Sequence, residues 1–364
     1  MTALARTADR PEDYARLGIA PGRIAAWEDG MRTDGASGSY EWWYFDAHLE
    51  DGTALVIAFY TKESLASWTG LRPSATAELT RPGQATRKLA VAVAGRDFSA
   101  ATEQCEVRIG ISSIHGRDGR YEIHFAAEDV VIDVTLRAQV PAWRPETGHF
   151  YFGPHDEHLF AWLPAVPQGA VHASITEAGV TTVREGVGYH DHNWGDASMM
   201  RLMNHWYWGR AQAGPYSVIA SWLVGEKRYG YTEIPIFLLA RDGEIVADDA
   251  KRVTLTLAEQ FDDEVSGKPV ANRIVYEYAG EGERFRVTFA REQTISRTLA
   301  REVDSAALRM LVAVARIDGA YLRFTGRVTV ERFVDDELVE TAEDHGIWEL
   351  SYFGRTHRLA HEPA

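Results

Sequence analysis

Cysteine is nearly absent from this 364-residue chain: Cys105 is the only one, so no disulfide can close within it and no cluster of thiolates can hold a metal. Long apolar runs are missing as well. Nothing is long enough to span a bilayer, and Met1 to Asp13 has no apolar segment, so a cytoplasmic protein without stable membrane insertion is expected. Basic residues are outnumbered, 38 Lys and Arg against 53 Asp and Glu, and the net charge of -15 opposes nucleic acid and anionic membrane surfaces. There is no Gly-x-x-x-x-Gly-Lys-Ser/Thr loop, no Gly-x-Ser-x-Gly elbow and no strand-to-helix Gly-x-Gly-x-x-Gly; Gly186-Val187-Gly188 lacks the third glycine and the following helix. Nucleotide-dependent and serine-hydrolase chemistry fall away, and no cofactor is expected.

What remains is a succession of short strands and turns. Residues 1–38 are polar, broken by Pro11 and Pro21, and read as an irregular arm with at most one short helix. Glu41 to Leu49 is an aromatic strand, Glu50-Asp51-Gly52 a hairpin turn, and Ala54 to Tyr60 the return strand. Lys88 to Val93, Glu106 to Ile111, Tyr121 to Phe125 and Val130 to Leu136 continue the pattern. Pro141 to Gly153 reads as irregular but carries Trp143, His149, Phe150, Tyr151 and Phe152; it is either a pocket wall or lid, or an aromatic plug at a barrel end. Further strands are expected at Thr232 to Leu239, Arg252 to Leu257, Arg273 to Tyr278, Phe285 to Ala290, Tyr321 to Glu331 and Ile347 to Phe353, with one helix at Ser305 to Val314. The length exceeds one ordinary core, and there is no βαβ alternation. We expect an all-β protein of two lipocalin-like antiparallel β-barrel domains in tandem: an arm at 1–38, then domains at 39–198 and 199–364.

A repeat supports the duplication. Trp206-Tyr207-Trp208 matches Trp43-Tyr44-Phe45 at a shift of 163, and Val218-Ile219-Ala220 matches Val56-Ile57-Ala58 at 162, with one residue lost in the turn.

The densest chemistry lies at Gly188-Tyr189-His190-Asp191-His192-Asn193-Trp194-Gly195. Read as a short strand, it places Tyr189, Asp191 and Asn193 on one face and His190, His192 and Trp194 on the other. The first face offers a phenol, a carboxyl and an amide to a pocket. The second offers a histidine pair, to which His149, His155 or His158 could add; the remaining ligands have no evident place, so no metal is expected.

Glu41-Trp42-Trp43-Tyr44-Phe45-Asp46, the central motif and the aromatic strand at Trp206 together resemble the carotenoid 1,2-hydratase (hydroxyneurosporene synthase) and AttH-like family over roughly residues 38–355. The resemblance implies two lipocalin-like barrels, with fungal decalin-forming Diels–Alderases as distant relatives. The family's Gly-Tyr-x-Asp-x-Asn-x-Gly pattern falls on Tyr189, Asp191 and Asn193, which it implies are catalytic, and its upstream tryptophan is matched by Trp162. His190, His192 and Trp194 lie nearer the AttH-like branch.

Hydration or cyclisation of an isolated alkene needs an acid, a site that tolerates a cation, and a placed nucleophile. Asp191 would be the acid if burial keeps it protonated, with Tyr189 and Asn193 orienting it. Trp162, Trp206, Tyr207, Trp208, Glu41, Trp43 and His192 are the candidate substrate-binding residues, in a pocket at or near the domain interface. The partner is then an apolar polyene- or isoprenoid-like small molecule. Three other readings stay open: a pericyclase that needs only shape and a hydrogen bond, a carrier of apolar ligands, and a purely structural role for Asp191 and Asn193.

Overall fold

The computed structural model describes residues 4–300 and 318–361; the helix expected at Ser305 to Val314 lies outside them. By its contacts the chain divides into two compact units, Thr7–Tyr151 with His155–Met199, and Met200–Ala364 with Met1–Arg6 and Phe152–Pro154. Both are antiparallel β, and both are lipocalin-like. Among the described residues no helix is long and apolar enough to cross a membrane.

The two sheets share one plan. In the first unit the opening strand Tyr40–Leu49 pairs with Ala54–Lys62 on one side and with the last strand, Val180–Gly195, on the other. The path from there runs through His158–Glu177, Val130–Ala138 and Arg120–Ala127 to a far edge at Phe98–Ala100, while the near edge is Arg87–Ala92. The second unit likewise pairs its first strand, Met203–Ala213, with its last, Glu337–Tyr352, and its edges are Glu244–Ala247 and Val253–Asp262. In each case a meander is joined first to last and left open between two strands that follow one another in the chain. Joining first to last leaves each sheet only two edges to protect.

Each unit has its own apolar core. Trp43, Phe45, Ile57, Phe59, Phe125 and Ile132 are fully buried on the inner face of the first sheet, and Tyr216, Phe237, Phe289, Phe324, Trp348 and Leu350 on that of the second. The repeat in the sequence is real as architecture but one residue out of phase. Trp43 pairs with Phe59 and points inward; its structural counterpart, paired with Trp222 and equally inward, is Tyr207 and not Trp206. Because strand side chains alternate, a slip of one residue exchanges the faces, and letter similarity among aromatics does not detect it.

Two local readings also change. His149–Phe152, inside the stretch expected to be irregular, is a strand, and the central motif ends a 16-residue strand instead of forming a short one. The arm is ordered from Thr7 into the first unit, with a helix at Pro11–Leu17 closed by Gly18 in the left-handed region, and a 3-10 turn at Ala26–Asp29.

Candidate active site

Val180–Gly195 starts on the surface and is buried on both faces from Tyr189 to Trp194. Close packing explains a glycine here: a Cβ on Gly188 would stand 2.5 Å from Val171 Cγ2 and 2.8 Å from the Asp46 carbonyl oxygen. On the neighbouring strand, Leu163, Val166 and Gly169 pair with His192, His190 and Gly188, so three residues face two at both steps. Pro164 and Pro167 sit in these two bulges, opposite Asp191 and Tyr189, where a missing N–H breaks no ladder bond. The bulged carbonyls are not wasted: Trp143 N–H donates to Pro164 (3.0 Å) and Gln139 N–H to Gln168 (2.8 Å).

The sequence-derived face assembles as one group. Asp191 Oδ2 accepts from Trp162 Nε1–H at 2.7 Å and from the Tyr189 hydroxyl at 2.7 Å, while Oδ1 accepts from the Asn193 amide at 2.6 Å. Trp162, opposite Asn193 in the ladder, also reaches Tyr189 Oη at 3.2 Å, and its ring meets Trp143 edge-on. All four side chains are buried. Burial pushes the Asp191 carboxyl up from 3.8 to about 6, against the pull of the Tyr189, Trp162 and Asn193 donors and the His190 charge. Burial and the adjacent Asp191 raise Tyr189 well above the ordinary phenol range, so it stays a donor. An oxygen of a carboxyl has two lone pairs, and on Oδ2 both are taken. The proton of the neutral acid therefore sits on Oδ1.

Glu41, Trp43 and His192 belong to the opposite face, inside the first unit. Glu41 accepts from His192 Nε2 (2.7 Å), from the Arg32 and Thr33 amides (2.6 and 2.9 Å) and from the Thr33 hydroxyl (2.7 Å), so it ties the arm to the sheet. Trp43 stacks on His192 at 4.6 Å and donates to the Asp29 carbonyl. They form one cluster, separate from the Asp191 group.

In the second unit Tyr207 packs in the core, its hydroxyl accepting from the Ala271 amide, and Trp206 and Trp208 lie half-buried on the other face of the same strand.

No function was read for the arm, yet it builds a cavity. A space of about 570 Å³ in the first unit is lined by the arm's Trp27 and Glu28, by Arg144 and His149 from the 141–153 stretch, and by Trp162 and Trp194. Of the two readings of that stretch, pocket wall fits its first part. Trp162 is thus shared, with its ring on the cavity and its N–H on Asp191. Only the Trp27-Glu28-Asp29 run, an aromatic and two acids in a polar arm, hinted at this.

An antiparallel β chain of two lipocalin-like units, with a donor-bound carboxyl on the closing strand of the first, defines the class. A family model described as Diels-Alderase-like matches residues 119–291. Among curated proteins the chain is similar to a quinolone epoxide rearrangement protein, penF, of Penicillium thymicola, with 30% identity over 35% of this chain and 36% of that one. It is similar also to a hydroxyneurosporene dehydrogenase of Chlorobaculum tepidum, with 26% identity over 48% of this chain and 54% of that one. The chain therefore spans about half or less of the length of these relatives. The crystal structure of an AttH-like protein from Nitrosomonas europaea superposes with a TM-score of 0.60 at 16% identity, covering 93% of this chain and 99% of that one, and shares the fold. These matches bear out the resemblance read from the motifs.

Proposed function

We propose that the protein is a cofactor-independent enzyme that acts on an apolar, polyene- or isoprenoid-like small molecule by proton-triggered cyclisation or hydration, with Asp191 as the acid. The observation that carries this is the asymmetry of its carboxyl: Oδ2 is saturated by Trp162 and Tyr189, while Oδ1 has one donor and one open lone pair. Oδ1 then hands its proton to an alkene carbon or an epoxide oxygen. The carboxylate left behind is stabilised by donors already in place, whose bonds strengthen as charge develops. The cation is quenched by an internal double bond or by water, and the proton lost in that step returns to Asp191. The names of the relatives favour rearrangement and ring closure over hydration.

That same observation favours a second reading, in which Asp191 only donates a hydrogen bond to a substrate carbonyl during a pericyclic closure. Incubation of the protein and of Asp191→Asn with polyene and isoprenoid extracts, read by mass spectrometry and chromatography, separates the two. A product isomeric with its substrate, or heavier by one water, that vanishes with Asp191→Asn supports proton transfer. An isomer formed by both proteins at similar rates refutes it and supports shape-driven closure.

A further inference from the structure

The inner face of the first sheet holds a second group of chemically active side chains, unused by the mechanism above. Asp29, from the 3-10 turn of the arm, is enclosed by His190, His192, Tyr121 and Cys105, and all of them are buried. His190 Nδ1–H donates to the Tyr44 carbonyl at 2.8 Å, which leaves Nε2 directed at Asp29 Oδ2, 3.3 Å away. His192 Nε2–H donates to Glu41, which leaves Nδ1 directed at Asp29 Oδ1, 3.7 Å away. Neither Asp29 Oδ1 nor His192 Nδ1 has a hydrogen-bond partner among the described residues.

Two imidazoles thus turn their spare nitrogens on one carboxylate. Asp29 Oδ2 also accepts from the Tyr121 hydroxyl at 2.6 Å, but with both rings neutral its other lone pair and Oδ1 would still face imidazole lone pairs in a dry interior, which is costly. A proton or a metal ion must stand between them. A cation held at 2.0–2.3 Å by N, O and S donors in a tetrahedron sets those donors about 3.3–3.8 Å apart. The 3.3 Å from His190 Nε2 to Asp29 Oδ2 lies at the edge of that range, while the 3.7 Å from His192 Nδ1 runs to the other carboxylate oxygen. Cys105 Sγ, His190 and Asp29 lie within 4.8 Å of one another, so a movement of about 1 Å brings the sulfur in. Each ring is also oriented from behind by an acceptor, Tyr44 or Glu41, as ligating histidines are.

We infer that Asp29, His190 and Cys105, which already cluster, with His192 drawn in from beside the second carboxylate oxygen, bind one divalent cation of the zinc class, in place of the protons that the metal-free cluster carries. The ligands that the sequence left unplaced come from the arm and from the lone cysteine. The site is structural in its burial, and it fixes the arm to the sheet beneath the strand that carries Asp191.

The test uses the full chain, stripped with a chelator under a non-thiol reductant and refolded with Co²⁺ or Zn²⁺ present. One equivalent of Co²⁺ is expected, with a thiolate-to-cobalt charge-transfer band and the strong visible bands of a tetrahedral ion. Cys105→Ser should lose the charge-transfer band, Glu41→Gln should weaken binding about 10-fold or more, and a His155→Gln/His158→Gln double variant should match the parent. Folded protein that takes up no metal, or an identical cobalt spectrum from Cys105→Ser, overturns the proposal in favour of protons alone.

Discussion

Replacing Trp162 by Phe removes one of the two donors on Asp191 Oδ2 and keeps an aromatic wall. The bond lost is short, 2.7 Å, and ends on a buried carboxyl. Hydrogen bonds to charged groups contribute about 1.5–3 kcal/mol, so the ionised form should lose that much relative to the neutral one, or about 1–2 pH units. The group starts at about 6 and moves upward. If Asp191 is the acid, activity requires its protonated form, and kcat/KM falls as pH rises through that value. In Trp162→Phe the alkaline limb should therefore shift to higher pH by about one unit or more, while the plateau drops about 10-fold because the nascent carboxylate has lost a donor. The two changes have opposite effects at high pH, which simple misfolding would not produce. Asn193→Ala, which strips Oδ1, should move the limb the same way. A pH–rate profile whose limb stays in place or moves to lower pH in Trp162→Phe refutes the assignment. Stability offers a second check. The folded pKa of Asp191 lies above its unfolded 3.8, so the stability it contributes is full below about 4 and lost as pH rises through about 6. Urea titrations of Asp191→Asn should lack that decline, worth about 3 kcal/mol.

Two further outcomes probe the scaffold. Lys62 is fully buried and donates from Nζ to the carbonyls of Gly35 (2.8 Å), Ala36 (2.6 Å) and Thr69 (2.7 Å); Lys62→Met should cost about 3 kcal/mol or more in chemical denaturation by stranding those oxygens, and a loss below about 1 kcal/mol would show that they find water. His205, in the second unit, stacks on Tyr352 and is pushed down to about 3, first by burial. Its folded pKa is below the unfolded value, so stability is full above about 6.5 and falls by up to about 1.4 kcal/mol per pH unit on acidification until about 3. His205→Phe should flatten the acid limb of a stability–pH curve; an unchanged slope between pH 6 and 4 would assign that limb to other groups.

Much of the fold was legible because antiparallel strands announce themselves locally. Asp51-Gly52 marked a hairpin, and the period of two put Tyr189, Asp191 and Asn193 on one face, where they converge. The phase of the repeat was not legible, since it depends on which side of each aromatic strand meets a core, and tryptophan and tyrosine serve either side. Nor was the fate of Glu41, Trp43 and His192. They stand in the same motifs as the Asp191 group, but their parity sends them inward, where their partners are Arg32, Thr33 and Asp29, residues 8 to 163 positions away along the chain. A contact of that kind leaves no mark on either local sequence. The bulges are the intermediate case. Pro164 and Pro167 are two prolines inside the strand His158–Glu177, and a proline within a strand requires the ladder to break there. What they could not say is that the break falls opposite Asp191 and Tyr189, so that Trp162, one step from the first bulge, turns its indole onto the carboxyl. The motif supplies the carboxyl, but its environment is made by the neighbouring strand, and any relative that keeps the motif while losing those prolines should hold its aspartate differently.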